Sequence, residues 1–209
     1  MAKRSSRPAS PGPPSLGEAP PTPRPFRQVI RCLPAHSDRH RTLLTVQLRP
    51  GSPDRPCRHL AVLLKNPSRA DATRMDPTVG KVEAWARRQG FARVSYVNLF
   101  ALRSPHPAAL NRPTYPEAVG PGNDSAILMA AQEAEVMVVA WGNPNGVEPS
   151  RYARRIQEVT RLLAGRPLFH VGPLTRQGQP RHGLHWQTGM ALRPFRALGR
   201  AGAEDQAAE

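Results

Sequence analysis

Apolar positions along this chain follow two alternating patterns. Continuous runs at 60–64 (LAVLL), 93–99 (RVSYVNL), 136–141 (VMVVAW) and 168–171 have the length and composition of strands buried on both faces. The stretches between them carry a helical period. Val79, Val82 and Ala86 keep that period to about Gln89, where Gly90 stops it. Asp76-Pro77-Thr78 opens this helix, with a capping carboxylate and proline at the first helical position. Asn123-Asp124-Ser125 is expected to cap a second helix running to about Glu135, and Tyr152, Ile156, Val159 and Leu163 mark one face of a third. Segment 42–48 alternates and reads as an edge strand, while 180–186 follows the last run. Repeated β-α-β units with buried strands predict an α/β fold, a three-layer sandwich around a mostly parallel central sheet.

The ends of the chain read differently. Residues 1–25 hold 8 of the 25 prolines and a net charge of +3 from Lys3, Arg4, Arg7 and Arg24 against Glu18. Such a segment buries too little apolar surface to offset its ordering entropy, so a disordered basic arm is expected there. Residues 198–209 are expected to be a second disordered tail, leaving 26–197 as a single domain.

Charge narrows the partners. Thirty Lys+Arg against 15 Asp+Glu give a formal net charge of +15, and all the basic residues but Lys3, Lys65 and Lys81 are arginine. A GC-rich genome produces the same bias, but the excess still favours polyanions: nucleic acid, DNA before RNA, or a nucleotide. Two cysteines, Cys32 and Cys57, exclude a disulfide scaffold, and no apolar run approaches the roughly 18 residues of a membrane span. A cytoplasmic protein is expected, with no cofactor and no membrane partner.

Ligands of open α/β sheets bind at the carboxyl ends of the strands. The polar residues collect in those loops. Lys65-Asn66-Pro67-Ser68-Arg69-Ala70-Asp71 and Asp76 follow the first buried strand; Asn98-Leu99-Phe100-Ala101-Leu102-Arg103 follows the second. Trp141-Gly142-Asn143 follows the third, and Arg181-His182-Gly183-Leu184-His185 comes after the last. Each has a structural reading of its own: Asn-Pro starts turns, and Asp76 is accounted for as a cap. Four such loops at one end of a sheet point to a site. Several chemistries drop out. The chain has no P-loop, no dinucleotide fingerprint after a strand and no nucleophile elbow. His182 and His185 lack the further ligands a metal centre needs.

The runs LLKNPSRADATRMDPTVGKVEAWARRQGF, YVNLFALRSPHP, GPGNDSAILMAA, VVAWG and LTRQGQPRHGLH resemble a bacterial family catalogued as a domain of unknown function, number sixteen forty-three, over about residues 60–187. The order of motifs is also similar, more distantly, to that of the uracil-DNA glycosylase superfamily. The early loop of those α/β enzymes is matched by Leu64-Lys65-Asn66-Pro67, and their strand ending in Asn by Ser95-Tyr96-Val97-Asn98. Val138-Val139-Ala140-Trp141-Gly142 matches their strand ending in W-G, and His182-Gly183-Leu184-His185 their final loop. The departures are Leu64 for the family's Gly, Asn66 where the fastest members carry Asp, and Gly183 where Pro follows the His.

The resemblance implies a base-excising hydrolase. Breaking an N-glycosidic bond leaves a cationic sugar and an anionic base, so a site must hold a water, support the departing base and grip phosphates. Asn66 and His182 are the catalytic candidates: Asn66 to orient the water through its carbonyl, His182 to donate to the base. Asn98 is suited to read a base edge, and Phe100 or Tyr96 to stack on the ring. Pro67, Ser68, Asn123, Trp141, Gly142 and His185 complete the candidate substrate-binding set, with Asp71 or Asp76 as reserve base. Arg69, Arg103 and Arg181 are candidates for phosphate. A non-catalytic module that binds nucleic acid or a nucleotide on the same scaffold is the alternative, favoured by Asn66 and Gly183. A protein binding nucleic acid by charge alone would need no cleft.

Overall fold

The computed structural model describes residues 25–50, 57–67 and 76–196; the expected N-terminal arm and C-terminal tail lie outside them, apart from residue 25. The chain runs β1 (Gln28–Leu33), β2 (Leu43–Gln47), β3 (His59–Leu64), α1 (Pro77–Arg88), β4 (Arg93–Asn98), α2 (Tyr115–Val119), α3 (Asn123–Glu133), β5 (Val136–Val139), α4 (Pro149–Leu162), β6 (Leu168–Val171) and β7 (Leu192–Pro194). Short 3-10 turns occupy Pro107–Asn111 and Gly183–His185. Seven strands form one sheet in the order β1-β2-β4-β3-β5-β6-β7. The middle four are parallel, and antiparallel strands flank them on both sides.

Strand periodicity builds the layers. In β3, Leu60, Val62 and Leu64 face one core with Val79, Val82, Trp85 and Ala86 of α1. Ala61 and Leu63 face the other, with Ile127 and Ala130 of α3 and Tyr152 and Val159 of α4. Helices therefore cover both faces, which is why β3 is apolar at nearly every position. Asp76 caps α1 as expected, accepting the Val79 N–H at 2.7 Å, and Gly90 follows the helix at φ +81°.

Two expectations are corrected. The alternating 42–48 segment contains β2, which is not an edge: it lies between β1 and β4, and all five of its residues are buried. The edge belongs to β1, whose half-exposed pattern and irregular register between Val29 and Arg31 hide it from a periodicity reading. Asn123 does not cap α3. Gly122, at φ +70°, takes the cap position, and the Asn123 side chain donates instead to the carbonyls of Asn98 (3.0 Å) and Leu99 (3.2 Å). Among the described residues no helix is long and apolar enough to cross a membrane.

Candidate active site

The order of the parallel strands creates a crevice. From β3 the chain crosses through α1 to β4 on one side, then through α3 to β5 on the other. The loops leaving β3 and β5 therefore diverge over opposite faces, and the gap between them is the usual place for a ligand.

Lys65 is the first residue beyond β3. It is only 3% exposed, and its ammonium donates to the carbonyls of Asn143 and Pro144 and lies 5.6 Å from the Tyr152 ring centroid. Burial lowers its pKa to about 8. Among the described residues it has no carboxylate partner. The sequence signal for Lys65 is a lysine placed directly after the continuous apolar run 60–64.

Asn66 comes next. Its amide nitrogen donates to the carbonyls of Ser104 (2.8 Å) and Pro67 (3.2 Å), while Ser104 donates its backbone N–H to Pro67 (3.0 Å). The loop after β3 is thus stitched to the loop after β4, and the orientation of the Asn66 carbonyl is set. Asn98 ends β4 in register with Leu64. Its side chain is 1% exposed, and neither its nitrogen nor its oxygen has a hydrogen-bond partner. Leaving a buried polar group unsatisfied costs about 1–3 kcal/mol, so a whole unsatisfied amide asks for a ligand or a water.

The final loop packs against Gly142, just beyond β5, and against the start of α1. Gly142, at φ +69°, accepts its own close approach to this loop: a Cβ there would stand 2.9 Å from the His182 Cβ. Its N–H donates to the Pro180 carbonyl at 3.0 Å. A Cβ on Gly183 would collide with Val82 at 2.7 Å and approach Thr78 and Leu64. His182 is therefore clamped between β5 and the start of α1. Leu184 donates its backbone N–H to His182 Nδ1 (3.3 Å), which leaves the ring proton on Nε2 and makes that edge a donor. Burial, helped by the charges of Lys65 and His185 and opposed by Asp76, pulls the imidazole down to about 4. His182 is neutral at pH 7.

The structure thus places Lys65, Asn66, Pro67, Asn98 and Gly142 at the carboxyl ends of β3, β4 and β5, with His182 against Gly142 and within electrostatic reach of Lys65 and Asp76. Arg103 is half-buried, its Nε without a partner. Arg181 lies further out, bonded to Pro173 at 3.4 Å, and His185 is exposed. Phe100 and Trp141 point elsewhere. Both are fully buried in the α3/α4 core, Phe100 edge-on to Tyr115 and Trp141 edge-on to Phe195 with its indole N–H on Gln179. Neither has a ring face to offer a base. Asn123 serves as a brace under the strand end. Ser68, Arg69 and Asp71 lie outside the described residues. Among the described residues no group of three or more His, Cys, Asp or Glu is arranged to hold a metal ion.

Residues 41–184 match the family of proteins of unknown function designated DUF1643. The chain belongs to this family. The matched span takes in the parallel strands, their crossovers and the crevice; β1 and β7 lie outside it. Within the matched span, Gly120-Pro121-Gly122-Asn123-Asp124 serves the architecture, through the positive φ of Gly120 and Gly122 and the Asn123 brace under the end of β4. No curated protein and no solved structure matches the chain.

The Gly142 contact yields a direct expectation. Gly142→Ala places a side chain at positive φ, costing about 1–2 kcal/mol, and drives a methyl into His182. The melting temperature should fall by roughly 2–8 °C at 2–4 °C per kcal/mol. Gly80→Ala, in α1 with nothing within 4 Å of the added methyl, should instead raise it. Equal melting temperatures for the two variants in thermal denaturation would refute the clamp.

Proposed function

We propose that this chain is a nucleobase-recognising hydrolase of an N-glycosidic bond, acting in the crevice at the carboxyl ends of β3, β4 and β5. The observation that carries the reading is Asn98: a rigid, buried amide whose donor and acceptor are both unused. An amide is the side chain best matched to a base edge that presents a carbonyl beside an N–H. The backbone below it is braced by Asn123, so the amide is presented without further ordering cost.

The remaining groups fit the same chemistry. When the glycosidic bond breaks, its electron pair goes to the base nitrogen and the sugar becomes cationic. His182, neutral and protonated on Nε2, is suited to donate to the base as negative charge develops. The Asn66 carbonyl, held by its amide's two backbone bonds, is suited to orient a water whose oxygen adds to the sugar carbon and whose proton leaves to solvent. Lys65, cationic below about pH 8, adds positive potential beside the departing base. The similarity of motif order to the uracil-DNA glycosylase superfamily supports the reaction class.

A second reading has its own observation. Both N–H groups of Asn66 are spent on backbone carbonyls, as in a residue that holds a loop, and an amide cannot take a proton from water. A module that recognises a base without excising it would keep Asn98 and need no more of Asn66. The deciding experiment presents base-modified oligonucleotides and nucleotides to wild type and to Asn98→Asp, scoring release of free base and binding separately. Asn98→Asp removes a donor and adds a charge at constant shape, so discrimination between bases should shift at least tenfold, corresponding to about 1.4 kcal/mol or more. A uniform change across the panel would remove Asn98 from recognition. Binding without release would select the second reading.

A further inference from the structure

A continuous path of hydrogen bonds runs from Lys65 through two loops to the segment that carries His182. The Lys65 ammonium donates to the carbonyls of Asn143 and Pro144, which directly follow Gly142 in the loop after β5. The Asn143 side chain passes the connection on, its Oδ1 accepting from the Thr175 hydroxyl at 2.7 Å. Thr175 closes a turn with Gln179: its N–H donates to the Gln179 carbonyl at 2.8 Å, and its hydroxyl accepts the Gln179 N–H at 3.1 Å. That turn leads straight into Pro180, Arg181 and His182. The segment after β5 and the final loop are thus bonded at three points, Asn143 to Thr175, Trp141 to Gln179 and Gly142 to Pro180. The Tyr152 hydroxyl, from α4, donates to the carbonyls of Trp141 (3.1 Å) and Gly142 (2.7 Å). The strand end is therefore anchored from α4, and the loop beyond it is held by Lys65.

Burial sets the sign of any coupling between this path and pH. Two carbonyls and an aromatic face return less than the hydration a buried ammonium gives up, and Lys65 accordingly sits at about 8 instead of 10.5. An opening that lifts Asn143 and Pro144 away admits water to the ammonium and restores its ordinary basicity. Between about pH 8 and 10.5 the open loop therefore binds the proton more readily than the closed one, so rising pH favours closure. The groups facing Lys65 are the Tyr152 ring from α4 and His182 from the final loop, and His182 has Asp76 and His185 as its own electrostatic neighbours. His182 is neutral across this range, and burial holds the Tyr152 phenol well above its ordinary value, so neither changes charge there.

We propose that Lys65 is the latch of a pH-sensitive closure: the loop after β5 and the turn carrying His182 close together as Lys65 gives its proton to solvent, and loosen together as it takes one back. The arrangement described above is the closed one. His182 is then placed most firmly on the alkaline side, and the crevice opens more readily on the acid side. The latch itself stands on the bond path; its consequence for a departing base rests on the function proposed above.

Amide exchange of the full chain, followed by NMR with no ligand present, tests the latch. Protection factors remove the intrinsic pH dependence of exchange. Gly142, whose N–H is bonded to the Pro180 carbonyl, and Gly178, whose N–H is bonded to the Thr175 carbonyl at 2.9 Å, report the two loops. Val62, in the middle of β3, reports global unfolding. Both loop amides should be less protected than Val62, and their protection should rise roughly tenfold between pH 7 and pH 9. Lys65→Met should abolish that rise. Thr175→Val removes the hydroxyl at nearly constant shape and should abolish the rise at Gly178 while Gly142 keeps it; Thr175→Ser should restore it at Gly178. Loop protection that is independent of pH in wild type, that still rises in Lys65→Met, or that equals the protection of Val62 throughout would overturn the latch. So would an unaltered rise at Gly178 in Thr175→Val. With no base or nucleotide present, none of these results bears on base recognition, which the Asn98→Asp panel decides separately.

Discussion

Arg155→Met should lower the melting temperature by roughly 4–12 °C, the equivalent of about 2–3 kcal/mol at 2–4 °C per kcal/mol. Arg155 is 1% exposed and sits where α4, α3 and the end of β4 meet. Its Nε donates to the Leu99 carbonyl at 2.6 Å, and its two terminal nitrogens reach Asp124 (2.5 Å) and Glu158 (3.4 Å). Methionine keeps most of the aliphatic volume, so the loss is mainly one of charged hydrogen bonds. The cost stays below that of breaking a fully buried ion pair, because the Asp124 side chain is 54% exposed and regains water. The Leu99 carbonyl keeps only its bond from Asn123. Circular dichroism melts of the two proteins measure the effect, and a shift smaller than about 2 °C, under 1 kcal/mol, would show that the arginine is dispensable. Because Leu99 adjoins Asn98, the variant should also bind ligand less tightly.

The second large effect is on the pH dependence of stability. The pKa of His182 falls to about 4 in the folded protein from an ordinary 6.5. Between those values the unfolded chain binds the extra proton, so stability is full above about pH 6.5 and is lost as pH falls towards 4. The slope contributed is at most about 1.4 kcal/mol per pH unit. Lys65, lowered from 10.5 to about 8, acts with the same sign in an alkaline window: stability rises between about pH 8 and 10.5 as its buried charge is relieved. Urea unfolding of wild type, His182→Gln and Lys65→Met across pH 4 to 10 separates the two. His182→Gln should flatten the acid limb alone, and Lys65→Met the alkaline limb alone. Profiles parallel to wild type would mean that neither group is held as described.

The parts of this fold that were legible from sequence share a cause. Strand β6 begins and ends at the residues where the apolar run does, and α1 starts at its Asp-Pro signal, because in both cases a local rule and the tertiary environment agree. Strands β1 and β7 were missed because half their residues face water, which erases the pattern. Phe100 and Trp141 were read as site residues for a related reason: an aromatic at a strand end looks alike in sequence whether it faces a cleft or the core, since the alternation that would decide it stops with the strand. Lys65 and Arg41 show the converse. Charged side chains are read as surface by default, and only packing reveals that these two are not.

The two outer strands have a consequence for how this protein behaves at high concentration. Open sheets tend to recruit further chains along their rims, which is how fibrils propagate. Here β7 is three residues long and ends in Pro194, which has no N–H to donate. On the opposite rim the irregular register around Val29 and Arg31 interrupts β1, and Arg31 is tied to Glu133 at 2.7 Å. Neither rim is a flat template, so the apolar strands of the middle are shielded from templated aggregation by the two segments that lie outside the family match.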